Sequence, residues 1–440
     1  MQVSVGFGRE NITPDFPVLL AGGGYSKRIS TNLLDALFVS CIAFTDADGS
    51  TALIASQDLL GTYDGYTLPA REAVAKATGI PFDRIFFSAS HTHSGPTLNQ
   101  TAPGGPEMLE LYFDKIVKAA LAALADRSEA EFLAGSTQAP GMTFVRRYKL
   151  ADGTYEGASG NTTTCTTRVD HAYPSDETVQ LLRICRKDKA DILFVNLGAH
   201  ATFNGATSKT NLSSDFPHAL RQRVEAESGC LCAYFMSAAG DQTPTTRLEW
   251  DNHGLDHRQY GDRIGQLVLQ ALPTLTPVAG GKVRANREVC TVKTNKRDMD
   301  KLELATQVWN YFDENGFKVG NPYAHEKGFA SVYEARAIMT HAQLPDTKDI
   351  AVHAMAVGDV SFAFASYEMY SENGRFVREN TPFPFTFVIT QANGGNGYLQ
   401  SKMGYFINCY EAYASNVAEG TGEQVADLFV EMLKKLKDDC

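Results

Sequence analysis

Short apolar runs alternate along this chain with longer stretches whose apolar residues recur at helical spacing. Gly6 to Pro14 reads as a strand and a turn. Leu37 to Phe44 and Thr51 to Ser56 read as two strands around the turn Asp46-Ala47-Asp48-Gly49. Leu68 to Thr78 has helical composition and leads through Gly79-Ile80-Pro81 into the apolar run Ile85-Phe86-Phe87. An alanine-rich helix is expected over Glu107 to Ala125. Asp191 to Gly198 and Cys230 to Ser237 are further buried strands. Between them Asp215 caps a helix with Pro217 just inside it, running to about Glu227. Leu255 to Leu272 is helical, and Val278 to Thr294 turns to β. Leu302 to Glu314 and Ala324 to His341 form a helical insertion at about 299–345, broken at Gly320-Asn321-Pro322. Ile350 to Ala365 and Phe385 to Gln391 return to β. The last helix, Thr421 to Lys437, carries an apolar stripe at Val425, Leu428, Phe429, Met432 and Leu436. This alternation predicts an α/β fold, a mixed β-sheet core flanked by helices. With no internal repeat or low-complexity linker, one domain over 1–440 is the simplest organisation.

Polar residues gather where the predicted core strands end. Ser90-His91-Thr92-His93-Ser94-Gly95-Pro96 follows the Ile85 run, and strand alternation puts His91 and His93 on one face. Such a pair can be a metal ligand with a proton carrier, or two hydrogen-bonded histidines. Ala199-His200 repeats the design after a second strand, which favours the metal, and Ser366-Tyr367-Glu368 adds a carboxylate after a third. Asp58 and Asp241 also follow strands, and each can orient an imidazole from behind or cap a loop. The adjacent Arg146 and Arg147 read, from pattern alone, as a solvated strand edge. His171, His218, His253, His257, His325, His341 and His353 lack such a setting and read as structural or exposed. Gly22-Gly23-Gly24 is not a dinucleotide loop, because no helix-forming stretch follows it.

The formal net charge of −11 is spread along the chain, which argues against nucleic acid and anionic membranes as partners and says nothing positive about them; the partner expected on other grounds is a small-molecule substrate. No apolar run is long enough to span a bilayer. The amino terminus lacks the charged and apolar regions of a signal peptide, so a cytoplasmic location is expected. Cys41, Cys165, Cys185, Cys230, Cys232, Cys290, Cys409 and Cys440 sit singly, mostly in apolar runs, and read as reduced thiols.

The ordered set Gly6-x-Gly8, Asn11-Ile12-Thr13-Pro14, Ser56-Gln57-Asp58 and His91-Thr92-His93-Ser94-Gly95-Pro96 resembles the catalytic region of the neutral/alkaline non-lysosomal ceramidases. The resemblance continues through Asn196-x-x-Ala199-His200, Ser214-Asp215, Gly240-Asp241-x-x-Pro244, Tyr367-Glu368, Ala392-Asn393, Tyr398 and Tyr410-Glu411. It implies one catalytic Zn²⁺ held by His91, His200, Glu368 and Tyr398. His93 then stands beside the metal as a catalytic or orienting group, with Arg146 as the active-site arginine and Tyr410 as a further catalytic group. The residues flanking Arg146 depart from the family's pattern, which keeps Arg147 open as the alternative. The implied activity is zinc-dependent hydrolysis of an amide (N-acyl) bond by a metal-activated water. A zinc esterase or lactonase acting on a small polar substrate would use the same site, and a non-catalytic binding protein is the outside alternative. The family's secreted members continue into a carboxy-terminal immunoglobulin-like domain, and its glycines after His-Ser-Gly-Pro are Thr97-Leu98 here. Ceramide itself is therefore not implied, and neither oligomeric state nor the choice of amide over ester is legible.

Overall fold

The structure, a computed structural model, describes residues 3–24, 27–157, 168–205, 209–245, 248, 254–407 and 409–438. Cys165, His253 and Cys440 lie outside the described residues.

Eight strands form the main path of a large mixed sheet, in the order Leu231–Met236, Ile192–Leu197, Thr178–Arg186, Ser128–Gln138, Val3–Asn11, Phe38–Asp46, Thr51–Gln57, Ile85–Ala89. Thr276–Val278 pairs with Ser128–Gln138 off this path. The pairs at the two ends are parallel and the interior is antiparallel. Strands in parallel pairs are buried on both faces, which is why Ile85–Ala89 and Ile192–Leu197 are buried throughout and apolar but for Ser88 and Asn196.

The sheet curls until its ends approach one another. Ser56 Oγ donates to the Tyr234 carbonyl at 2.5 Å across the closure. Residues 389–393 fill the remaining gap: the Ala89 amide donates to Gln391, and the Thr390 amide donates to Met236. This closure positions the site. His91 follows one end strand and His200 follows the strand next to the other end, so a flat sheet would hold them far apart.

Val283–Lys293, Thr347–Val357, Val360–Phe364 and Phe385–Ile389 make a second sheet. It packs face to face on the first through a shared aromatic core: Phe86 stacks on Phe364 with centroids 4.3 Å apart, and Phe194 meets Phe387 at 4.8 Å. The expected mixed sheet flanked by helices is present, divided into two sheets. Four helices cover the outer face of the large sheet: Asp64–Thr78, Gly105–Ala125, Phe216–Ser228 and His257–Ala271. Ser371–Asn380 and Thr421–Asp438 cover the second. Aromatic and aliphatic residues on inward strand positions therefore build the middle of the molecule, with helices outside.

Two local expectations are corrected. Gly320-Asn321-Pro322 does not separate the helices of the insertion but lies inside Phe317–Glu326. That helix is docked tertiarily, through buried Ala324 and through Asn321, whose Oδ1 accepts the Val332 amide at 3.1 Å. Docking of this kind outweighs the local cost of proline. The insertion is three helices, Leu302–Asn315, Phe317–Glu326 and Val332–Ala342, broken at Gly316 and over 327–331. Ser371–Asn380 is a helix that pattern did not reveal, since Ser-Glu-Asn-Gly-Arg-Phe-Val-Arg-Glu-Asn offers only Val377 as a deeply buried apolar anchor. Among the described residues no helix is long and apolar enough to cross a membrane. The described cysteines are free thiols, all buried except the half-buried Cys185.

Candidate metal centre

The Ile85–Ala89 strand stops before the histidines, and His91 takes a left-handed backbone with φ 61°. Strand alternation is therefore not what brings His91 and His93 together. The positive-φ kink at His91 redirects the chain instead, and their rings meet edge to face with centroids 4.8 Å apart. A non-glycine residue held in this region is strained by about 1–3 kcal/mol and persists where its surroundings enforce it. Here the enforcement includes a hydrogen bond between His91 Nδ1 and the Leu60 carbonyl at 2.5 Å. His200 follows the Ile192–Leu197 strand, and its ring lies 4.7 Å from that of His91.

All three imidazoles are anchored in the same way. The Nδ1 atoms of His91, His93 and His200 face the carbonyls of Leu60 (2.5 Å), Gly22 (3.2 Å) and Gln242 (2.8 Å). A carbonyl only accepts, so each Nδ1 carries the proton and each Nε2 presents a lone pair. The ligand atoms of this trio all lie within 4.8 Å of one another. His91 Nε2 and His93 Nε2 are 3.3 Å apart. Glu368 Oε2 lies 2.9 Å from His200 Nε2 and 3.4 Å from His91 Nε2.

Burial keeps the His93 and His200 rings neutral near pH 7. It pushes His93 well below the ordinary histidine range, with the neighbouring His91 and His200 adding to the effect. Burial and then Arg146 bring His200 down to about 4. For Glu368 burial works upward, but His91 and His200 outweigh it and hold the carboxyl low. Imidazole lone pairs and a carboxylate thus face one another at close range. Without a cation that arrangement is repulsive; with one it is a set of ligands. The donor chemistry fits a metal ion.

Glu368 and Tyr398 come together through a short parallel ladder, Glu368–Met369 beside Tyr398–Leu399, in which they are register partners. The Tyr398 hydroxyl accepts from Arg146 Nη2 at 3.0 Å, and the guanidinium carbon stands 5.5 Å from the ring centroid. Arg146 Nη2 also donates to the Gly240 carbonyl at 2.8 Å, and its Nε is at ion-pair distance, 2.8 Å, from Glu411 Oε1. Burial opposes the Arg146 charge, but Tyr398, Glu411 and Glu368 more than offset it. Neither arginine is a solvated edge. Arg146 turns to Tyr398, whereas Arg147 is fully buried behind it, 2.6 Å from Glu411 Oε2 and bonded to the Tyr370 hydroxyl. Tyr410 starts the helix Tyr410–Ala414, with its ring 6.0 Å from that of Tyr398.

Asp58 and Asp241 tie loops. Asp58 takes both Arg221 Nη atoms, at 2.9 and 2.7 Å, and the Phe38 amide. Asp241 accepts the Ser371 amide and hydroxyl, both at 2.8 Å, and the Tyr173 hydroxyl. Pattern reading missed the backbone carbonyls that orient the rings, since they have no side-chain signature. The glycine cluster was the one visible hint: a Cβ on Gly22 would fall 2.6 Å from His93 Nδ1.

The loop at Gly240 joins these parts, because Gly240 holds Arg146 and Gln242 holds His200. A Cβ on Gly240 would sit 2.3 Å from the Glu368 carbonyl oxygen. Gly240→Ala is expected to displace these groups together and weaken metal binding by about 10–100-fold, as loss of a supporting contact does. Chelator competition measures this, and unchanged affinity would contradict the role of the loop.

Two face-to-face sheets clothed in helices, with a histidine trio gathered beyond the strand ends of the large sheet, define an α/β protein whose site can hold a metal ion. Solved structures place that fold. The chain matches the crystal structure of neutral ceramidase from Pseudomonas aeruginosa with a TM-score of 0.74 at 15% identity, over 100% of this chain and 75% of that one. It matches a ceramidase complexed with C2 with a TM-score of 0.72 at 14% identity, over 100% and 76% of the two chains. The fold is thus neutral-ceramidase-like. No family model and no curated protein matches the sequence.

Proposed function

We propose that this protein is a zinc-dependent hydrolase that cleaves an amide bond. The observation that carries the reading is the convergence of neutral Nε2 lone pairs and the Glu368 carboxylate in a buried site, on a ceramidase-like fold. His91, His200 and Glu368 would hold the ion, with Tyr398 as the fourth group from its register position beside Glu368. Nitrogen and carboxylate oxygen donors suit zinc. Bound there, the ion would polarise the scissile carbonyl and make a water nucleophilic near neutral pH.

The chain's own groups supply the rest. Arg146, fixed by Gly240 and Glu411, is a permanent positive donor where carbonyl oxygen charge develops. Tyr410, whose phenol burial keeps protonated, is a second donor. His93, neutral at rest, takes at Nε2 the proton that the attacking water gives up and delivers it to the leaving nitrogen, which cannot depart as an anion. The proximity of the three Nε2 atoms favours a second reading for His93 alone, as a third nitrogen ligand.

His93→Ala decides between them. The variant is expected to keep its metal and lose amide turnover by about a hundredfold or more. An ester with a good leaving group should lose far less. Equal loss on both substrates contradicts the proton-carrying role, and loss of the metal makes His93 a ligand.

A further inference from the structure

His93 is enclosed between two loops. On one side runs the glycine loop at 21–24, whose Gly22 carbonyl takes the Nδ1 proton of His93 at 3.2 Å. On the other side the Ala201 carbonyl accepts the His93 backbone amide at 3.0 Å, and a Cβ on Gly205 would fall 2.6 Å from the His93 Cβ. One side chain reaches both loops and His93 itself. Arg28 Nη2 donates to the His93 carbonyl at 2.7 Å and to the Ala21 carbonyl. Its Nη1 donates at 3.2 Å to the carbonyl of Lys209, whose own ammonium returns to the Phe203 carbonyl at 2.6 Å. Gly23 makes room for the guanidinium, since a Cβ there would fall 2.5 Å from Arg28 Nε. The glycine run that opens no helix thus has a steric reason: side chains at Gly22 and Gly23 would collide with His93 and with Arg28.

As a simple tether Arg28 would be a costly choice. It is only 2% exposed, burial opposes its charge, and among the described residues no carboxylate pairs with it. Its hydrogen bonds go to backbone carbonyls of three separate segments. Taking a guanidinium out of water without a counter-ion is expensive, and a neutral donor would close a single contact of this kind more cheaply. Spanning three carbonyls at once is what a planar fork of donors does and a hydroxyl or amide does not. The clamp is also selective. His91 and His200 are held from other loops, through the carbonyls of Leu60 and Gln242.

We infer that Arg28 is a positioning residue for His93, fixing both its backbone carbonyl and the loop that orients its ring. The inference rests on the hydrolase reading, in which His93 hands a proton to the leaving nitrogen, and deepens it by naming the group that keeps this carrier in reach. Displacing a reacting group by about 1 Å can cost about a hundredfold in rate.

A double-mutant cycle tests this. Arg28→Met is expected to lower kcat on an amide by about 10–100-fold, with KM and zinc content little changed. Added to His93→Ala, the same change should cost less than about threefold more, because residues that act through one another are not additive. A merely structural arginine would lower turnover by the same factor in both backgrounds. Arg28→Lys keeps the charge without the fork, so its loss should be smaller and should still depend on His93. It serves if the Met variant does not fold. Equal losses with and without His93, full turnover in both Arg28 variants, or loss of zinc overturns the inference. Backbone hydrogen exchange read by mass spectrometry needs no substrate and separates the two readings. Removal of the fork should quicken exchange at 92–95 while the Ile85–Ala89 strand stays protected. That pattern in a zinc-loaded protein that hydrolyses no amide removes the hydrolase and keeps the clamp. Amide hydrolysis with unchanged exchange at 92–95 does the reverse.

Discussion

Alanine at His91 or His200 is expected to strip the protein of its metal and to lower hydrolysis by at least about a thousandfold, the several kcal/mol of charge stabilisation that a catalytic ion contributes. Each ring presents Nε2 inward only because its Nδ1 is fixed on a backbone carbonyl, Leu60 for His91 and Gln242 for His200. Truncation leaves that carbonyl without its donor and Glu368 without one of its two close imidazoles. Elemental analysis after dialysis reads the first effect and turnover of an acyl substrate reads the second. Full metal retention in both variants would remove the site as proposed.

The largest effect on stability is expected from Glu411→Ala. Glu411 is fully buried and faces both arginines, Arg146 through Oε1 at 2.8 Å and Arg147 through Oε2 at 2.6 Å. Removing it leaves the wholly buried Arg147 with the Tyr370 hydroxyl as its remaining hydrogen-bond partner among the described residues. Breaking a buried pair by deleting one member costs about 3–5 kcal/mol, because the stranded charge cannot regain its hydration. Here one carboxylate serves two cations, so the upper part of that range is expected from denaturant titration. A loss below about 1 kcal/mol would mean that the network is solvated, as surface pairs are. Arg146 would also drift from Tyr398, so activity should fall even where the variant remains folded.

The parts of this account that were legible in the sequence are those that local pattern controls. The long helices Gly105–Ala125 and Thr421–Asp438 announce themselves by composition and by an apolar stripe. The buried parallel strands announce themselves by the apolar runs Ile85-Phe86-Phe87 and Ile192-Leu193-Phe194-Val195, which end shortly before His91 and His200. Long-range closure was not legible. Nothing local to Ile85–Ala89 says that the sheet curls to bring it near Leu231–Met236, or that a four-stranded sheet covers the inner face. The pairing of Glu368 with Tyr398 is a register across 30 residues of chain, and register is set by the folded neighbours. The convergence of His91 and His93 was expected for the wrong geometric reason, since a left-handed kink at His91 redirects the chain where alternation was assumed. Arg147 was misread as solvated because its partner Glu411 lies 264 residues away.

The central proposal is that His91, His200, Glu368 and Tyr398 hold zinc, with His93 beside the ion. The most direct test strips the protein with a chelator, confirms by elemental analysis that it is metal-free, and assays an N-acyl substrate panel before and after zinc is returned. Activity should disappear on stripping and return in full with about one equivalent of Zn²⁺ per chain. A metal-free protein that hydrolyses amides at the original rate, or a protein that takes up no zinc at all, would contradict it.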